Sequence, residues 1–392
     1  MADRATAARF EYHDTIPAVE QFTDEIASVT EVALDTEGAS FHRFVDRIYL
    51  LQLSTRDRHA VIDPLPIGTP AGLGRLLESP HVEVVFHDAD YDLRLLQQDY
   101  GWQIRNIFDT RIAAQLLGYT AFGLAALLER FFDVKLDKKH QRADWSMRPL
   151  TADMLDYAAH DTRFLLALKD HMSAELESKG RMAWAREEFA LLEGTRWADD
   201  EPGMSFLKLK GARDLNRREL AVLRELVPWR DAVASQLDRA TFRVLGNEQL
   251  LDIARSQPTT RDALGKIKGM PRGILEQRGS EVLDAVQRAL AVSESDLPKF
   301  PRGARWDRDP EFDARVSAVK TARDEAAKRL ALDPGVLCSR DRMEAVARRN
   351  PVNAEEVAEV GELRNWQKAE LGEAFVSALV PHRKVLESPY RS

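Results

Sequence analysis

The chain has 392 residues, a formal net charge of −8 and an apolar fraction of 44%. That length suits two or three domains, and that apolar content supplies real cores, which excludes a disordered chain. One cysteine, Cys338, excludes an intramolecular disulfide. The absence of an apolar h-region in "MADRATAARFEYHDT" and of any 18-residue uncharged apolar window makes a soluble, cytoplasmic protein without membrane contact the expectation.

In chain order, "EVALDTE" (31–37), "IYLLQLS" (48–54) and "HAVIDPL" (59–65) are short β-rich runs with brief connections, which predicts three consecutive antiparallel strands. "GLGRLLES" (72–79) reads as a helix and "VEVVFH" (82–87) as a buried strand. "YDLRLLQQDYG" (91–101) reads as a helix closed by Gly101, and "RNIFDTRIAAQLLGY" (105–119) as a short strand passing into a helix. Strands alternating with helices predict an α/β sheet covered by helices. Side chains alternate along a strand, so Val32, Leu34 and Thr36 share one face while Asp35 and Glu37 share the other. Two neighbouring carboxylates repel unless an arginine, a proton or a metal ion relieves them.

From residue 152 the strand signals stop. "ADMLDYAAHDTRFLLALKDHMSAELESKG" (152–180) predicts one long helix, with Thr151 as N-cap and Gly180 as terminator. Polar, Gly/Pro-bearing stretches predict linkers at 196–209 and 293–310, and hence units at 1–195, 210–292 and 311–392. Residues 247–270 and 340–363 align without gaps: Leu250 meets Met343, Ile253 meets Val346, Pro258 meets Pro351 and Leu264 meets Val357. Matched apolar positions with a shared proline predict a duplicated small helical domain. The chain's charge is uneven, with roughly 22 basic and 35 acidic side chains up to residue 204 and roughly 34 and 29 beyond it.

Candidate chemistry is narrowed by what is missing. There is no GxGxxG opening a helix, no GxxxxGK[ST], no HExxH, no paired CxxC and no GxSxG, so nucleotide cofactors, the usual zinc sites and the commonest hydrolase elbow are not expected. "FHDADYDLRLL" (86–96) has calcium-loop spacing, but Leu93 replaces the glycine that loop requires. Tyr157 and Asp161, four apart, lie on one helix face. The pairs His87–Asp88 and His160–Asp161 suggest an all-helical HD phosphohydrolase, a reading opposed by the strand before the first pair. Carboxylates from a strand, from the start of the next helix and from a later helix are able to converge on divalent cations, which prefer oxygen ligands.

Three segments, "LDTE" (34–37), "FHDADYDLRLL" (86–96) and "YAAHD" (157–161), stand in the order and spacing of the DEDD superfamily of 3′→5′ exonucleases, in its tyrosine branch. The resemblance covers about residues 10–190. "LDRATFRVLGNEQLLDIA" (237–254) resembles an HRDC domain, and a divergent second copy follows around 310–382, so that the whole chain resembles the ribonuclease D family. The resemblance implies an RNase H-like α/β exonuclease domain, with a mixed five-stranded sheet and flanking helices, followed by two small all-α HRDC-type domains. It also implies two divalent metal ions, Mg²⁺ or Mn²⁺, held by Asp35, Glu37, Asp92 and Asp161. In that family's pattern Asp35 bridges the ions, Glu37 and Asp161 complete one site, and Asp92 serves the other. Tyr157 orients the attacking water, because a phenol with a pKa near 10 is a poor base at neutral pH.

The family also tilts "SFHRF" (40–44) and "KKHQRADWSMRPL" (138–150) toward substrate contact. His42, Arg43, Phe44, Trp145 and Arg148 become candidates for phosphate and base contacts, with Lys266, Lys268 and Arg272 of "GKIKGMPRG" in the first helical copy. The implied activity is a 3′→5′ exoribonuclease that releases nucleoside 5′-monophosphates from a single-stranded RNA 3′ end, with transfer RNA precursors as the implied substrate and a monomer as the implied state. A DNA exonuclease with the same carboxylates and an inactive RNA-binding scaffold stand as the alternatives.

Overall fold

The computed structural model describes residues 10–137, 139–198, 203–300 and 309–382. Six strands, β1 (Glu11–His13), β2 (Glu31–Glu37), β3 (Leu50–Ser54), β4 (His59–Ile62), β5 (Glu83–Phe86) and β6 (Ile107–Asp109), form one sheet in the order β1-β4-β3-β2-β5-β6. The pairs β2/β3 and β3/β4 are antiparallel and the other three are parallel, so the sheet is mixed as expected. It has six strands rather than five. The extra one, β1, is a three-residue edge strand beside β4, too short to show a period in sequence.

Eight helices flank the sheet: α1 (Ile16–Glu25), α2 (Ala71–Leu77), α3 (Asp90–Tyr100), α4 (Thr110–Leu117), α5 (Leu124–Phe132), α6 (Ala152–Arg163), α7 (Leu165–Ser178) and α8 (Met182–Leu192). The alternation of β2 places it between two cores. Val32 and Leu34 pack with Phe22, Leu77 and Leu96 of α1, α2 and α3, while Ala33 packs with α4, α7 and α8. A third cluster, with Leu50, Val61, Trp145 and Ala158, seats α6 over β3 and β4.

The single helix expected over 152–180 is two helices, α6 and α7, broken at Phe164. Thr151 caps α6 as expected, accepting from the Met154 amide at 3.2 Å. The break follows from divided packing. Thr162 is tied to Ser54 of β3 at 2.7 Å, and Ala158 joins the α6 core. Leu165, Leu168 and Met172 of α7 instead enter the core beneath α4. A straight helix cannot serve both.

The remaining chain is helical: α9 (Arg217–Leu237), α10 (Thr241–Val244), α11 (Asn247–Ser256), α12 (Arg261–Gly265) and α13 (Arg272–Leu290), then α14 (Phe312–Leu330), α15 (Pro334–Leu337), α16 (Arg340–Arg349), α17 (Ala354–Ala358) and α18 (Asn365–Leu379). The first residues of α10 to α13 and of α15 to α18 stand at one constant spacing, the duplication read from the sequence. Asp238 and Gln257 close α9 and α11 in left-handed conformation, and Ala331 and Asn350 do so at the matching places. Thr260 and Asn353 cap α12 and α17 alike.

The two copies dock differently. The second shares a hydrophobic core with α4, α7 and α8, and Trp366 stacks on Trp184 with ring centroids 4.8 Å apart. The first keeps its own core, which includes Phe206 and Leu297 and receives Phe44 from the loop after β2. No helix among the described residues is long and apolar enough to cross a membrane.

Candidate active site

Asp35 and Glu37 leave the end of β2 on the face covered by α6, and Asp161 projects from α6 toward them. Each offers a carboxylate oxygen within 4.8 Å of the others. Asp92 arrives from the opposite side. The β5–α3 turn passes through Asp88 in left-handed conformation, and the buried Asp109 fixes it by accepting from the Ala89 amide at 2.8 Å. Helix α3 then starts at Asp90 and carries Asp92 in its first turn. Asp92 is buried, and its Oδ1 accepts from the Thr36 amide at 2.9 Å and from the Thr36 hydroxyl at 2.6 Å. Thr36 therefore holds Asp92 beside the strand that bears Asp35 and Glu37.

None of the four carboxylates has an ion-pair partner among the described residues, so an arginine does not relieve the crowding. Burial raises Asp35 well above the carboxylate range, and the charge of Asp161 adds to the shift against the Thr36 amide. Glu37 is raised by burial and then by the charges of Asp35, Asp161 and Asp92. Asp92 is raised by burial and by Asp35, opposed by its two bonds from Thr36. Burial pushes Asp161 up to about 7. Left to itself, the cluster resists full ionisation at neutral pH. Hard divalent cations would remove that resistance, and three converging carboxylates with Asp92 held beside them fit such ions.

Tyr157 lies one turn before Asp161. Burial, and then the charges of Asp161, Glu37 and Asp35, push its phenol upward, so it stays protonated and is a hydrogen-bond donor. His140 meets its ring edge-on at 5.8 Å, and Trp145 lies 6.1 Å away. Gln52, which the sequence reading did not select, stands directly opposite Asp35 in the β2/β3 register. It is fully buried, with neither amide atom hydrogen-bonded. A glutamine in the otherwise apolar run "YLLQL" was the available signal. Asp88 and Asp90 are exposed and paired with Arg111 and Arg94, away from ligand duty. Helix α3 runs through Leu93, so no calcium loop forms.

The expected substrate contacts divide into three groups. Trp145 is only 1% exposed and packs in the α6 core, so it offers no face for a base. Arg148 is occupied by Asp63 and by the Trp145, Met147 and Tyr49 carbonyls. Trp145 packs beside Tyr157, and Arg148 holds the Trp145 carbonyl behind it. His42, Arg43 and Phe44 face the first helical copy, with Arg43 bonded to Asp238 at 3.1 Å and His42 to the Arg142 carbonyl at 3.0 Å. Lys266, Lys268 and Arg272 are exposed near the α12–α13 turn; Lys266 pairs with Asp262 and Arg272 with Glu276. The structure brings none of these three into contact with the carboxylates among the described residues.

Comparison with known proteins agrees with this geometry. The 3′-5′ exonuclease family matches residues 10–177, and the HRDC domain matches twice, over 219–286 and 312–379. A ribonuclease D of Nitrobacter hamburgensis is 31% identical over 355 residues, covering 90% of each chain. The crystal structure of Escherichia coli RNase D superposes with a TM-score of 0.74 at 25% identity, covering 96% of this chain and all of that one. The catalytic core of RRP6 from Trypanosoma brucei superposes at 0.64 with 30% identity, over 74% of this chain and 81% of that one. With the motifs, the mixed sheet and the paired helical copies in place, the chain belongs to the ribonuclease D family, an exonuclease domain followed by two HRDC domains.

Proposed function

We propose that the chain shortens RNA from its 3′ end by hydrolysis, releasing nucleoside 5′-monophosphates, with Asp35, Glu37, Asp92, Asp161 and Tyr157 as its working residues. The observation that carries this reading is the convergence of Asp35, Glu37 and Asp161, with Asp92 held alongside by Thr36 and no basic side chain among them. Two divalent cations, Mg²⁺ or Mn²⁺, supply when bound the charge that activates water and stabilises the entering and leaving oxygens of a phosphodiester. Asp35 interacts electrostatically with Asp161, Glu37 and Asp92 alike, so it would be the ligand shared between two sites. Thr36 fixes the Asp92 carboxylate through two hydrogen bonds, so its free oxygen has a set direction. Tyr157, held as a phenol, donates toward the attacking water or a phosphate oxygen and orients it without removing its proton. His140 and Trp145 lie against that ring, and Arg148 holds the Trp145 backbone through its carbonyl.

The finer reading is a structured RNA such as a transfer RNA precursor, handled by a cytoplasmic monomer. It rests on family membership and on the Escherichia coli relative, described as an exoribonuclease involved in structured RNA processing. The domain boundaries of this reading fall within the linkers at 196–209 and 293–310, of which 199–202 and 301–308 lie outside the described residues while Phe206 and Leu297 pack into the first HRDC core. The test is a time course on 5′-labelled RNA and DNA oligonucleotides with Mg²⁺, Mn²⁺ or EDTA. Metal-dependent shortening of RNA from the 3′ end is expected. Shortening of DNA alone, or of neither, would overturn the assignment.

A further inference from the structure

The loop after β2 begins at the cluster and ends on the first HRDC domain. Phe41, four residues beyond Glu37 and so within about 14 Å of it along the chain, is 48% exposed. Its ring meets that of Phe242, 50% exposed on α10, edge-on at 6.3 Å. The two rings belong to different domains, and their relative placement is fixed by hydrogen bonds. The Ala240 amide donates to the His42 carbonyl at 3.2 Å, and Arg243 donates to the Phe41 carbonyl and to His42 Nδ1. His42 Nε2 in turn donates to the Arg142 carbonyl, in the segment whose His140 touches Tyr157. A continuous set of contacts thus joins the aromatic pair to the reaction centre.

The cations beside these rings have no carboxylate partners. The Arg142 guanidinium lies 5.4 Å over the Phe41 ring and makes no hydrogen bond or ion pair among the described residues. Arg243 is bonded to a carbonyl oxygen and to an imidazole, neither of which cancels its charge. Elsewhere arginines are commonly spent on acids: Arg56, Arg58, Arg94 and Arg111 all form ion pairs. In a chain of net charge −8, two exposed rings flanked by two uncompensated guanidinium groups suit a partner that is both anionic and flat-faced. Single-stranded nucleic acid combines these: its bases stack on aromatic rings while its phosphates meet arginine.

We propose that Phe41 and Phe242, with Arg142 and Arg243, form a composite stacking platform that grips the RNA strand upstream of its 3′ end. The platform rests on the exonuclease reading of the carboxylate cluster and gives the first HRDC domain a direct part in holding the strand. Neither domain makes the platform alone.

The test is fluorescence anisotropy with the full chain carrying Asp35→Asn, so that the RNA stays intact. One probe is a 5′-labelled oligoadenylate decamer, and the other is the same decamer with every position abasic except the two 3′ nucleotides. Phe41→Ala and Phe242→Ala are each expected to weaken binding of the first probe roughly 5- to 100-fold and to leave the second unchanged. Phe242→Tyr, which keeps a stacking ring, should restore binding. Arg142→Gln should lower the slope of log affinity against log salt by about 0.7. Unchanged binding of the base-bearing probe, or equal loss on both probes, would overturn the platform. Shortening of the decamer by the unmutated chain is followed separately. Its absence would condemn the exonuclease assignment, whereas the anisotropy comparison condemns only the platform.

Discussion

Two buried carboxylate sites on strands of the same sheet, β4 and β2 with β3 between them, show how the same residue type is put to opposite uses. Asp63, just past β4, is 2% exposed and accepts from the Tyr12 hydroxyl, the Leu65 amide and the Arg148 guanidinium. Burial by itself would raise its pKa, yet Arg148 and the other donors outweigh burial and hold it below the usual range. Asp35, Glu37, Asp92 and Asp161 have no such counter-charge, and all four are raised. A carboxylate that has been neutralised within the fold is structural. A set left without neutralisation holds capacity for a cation, and that capacity is the functional signal.

Substitutions at the two sites should therefore separate activity from stability. The largest effect is expected from Asp35→Asn, a loss on the order of 10³-fold or more in kcat with RNA binding retained and the cation-free Tm unchanged or raised, because a repulsion is removed. Full activity in that variant, read in the labelled-RNA time course, would break the comparison. Tyr157→Phe should slow turnover about 10- to 100-fold without altering the melting curve, since the ring still packs. An unchanged rate would return Tyr157 to packing alone. Asp63→Asn should do the reverse of Asp35→Asn. It should cost about 2–3 kcal/mol of stability, toward the lower end for such a pair because Arg148 is partly exposed, and leave kcat per folded molecule close to normal.

The smallest effect, and the sharpest in sign, concerns pH. Asp161 is raised to about 7, so its contribution to the stability of the cation-free chain is complete below its unfolded value near 3.8 and is lost as pH rises through 7. Asp63 is depressed, so its contribution is present above that unfolded value and lost as pH falls further. Mg²⁺ should consequently raise Tm more at pH 8 than at pH 5.5. At a hundredfold excess over its dissociation constant the stabilisation amounts to about 2.7 kcal/mol. An equal rise at both pH values, measured by scanning calorimetry, would mean that these carboxylates do not bind the ion.

Much of this was legible before the structure. The alternation in "EVALDTE" set Asp35 and Glu37 on one face, and Thr151, Gly101 and Gly180 marked helix ends where they occur. The duplicated helices followed from matched apolar positions, because each copy buries the same stripe, the first in its own core and the second in a core shared with α4, α7 and α8. Sequence could not show contacts between distant segments. Arg148 looked like a phosphate ligand because its partner, Asp63, lies 85 residues away. Trp145 looked like a stacking residue because its burial depends on α6 closing over β3. Strand β1 and the break at Phe164 depend on a neighbouring strand and on two cores, which no local period encodes. Likewise Gln52 gained meaning only from its register opposite Asp35.

The most direct test of the central claim is calorimetric titration of Mn²⁺ into the full chain, beside the Asp35→Asn variant, in buffers of different ionisation enthalpy. The account expects two ions per chain, bound with release of protons from the raised carboxylates, and loss of that binding in the variant. No uptake by the unmutated chain, or undiminished uptake by the variant, would contradict it.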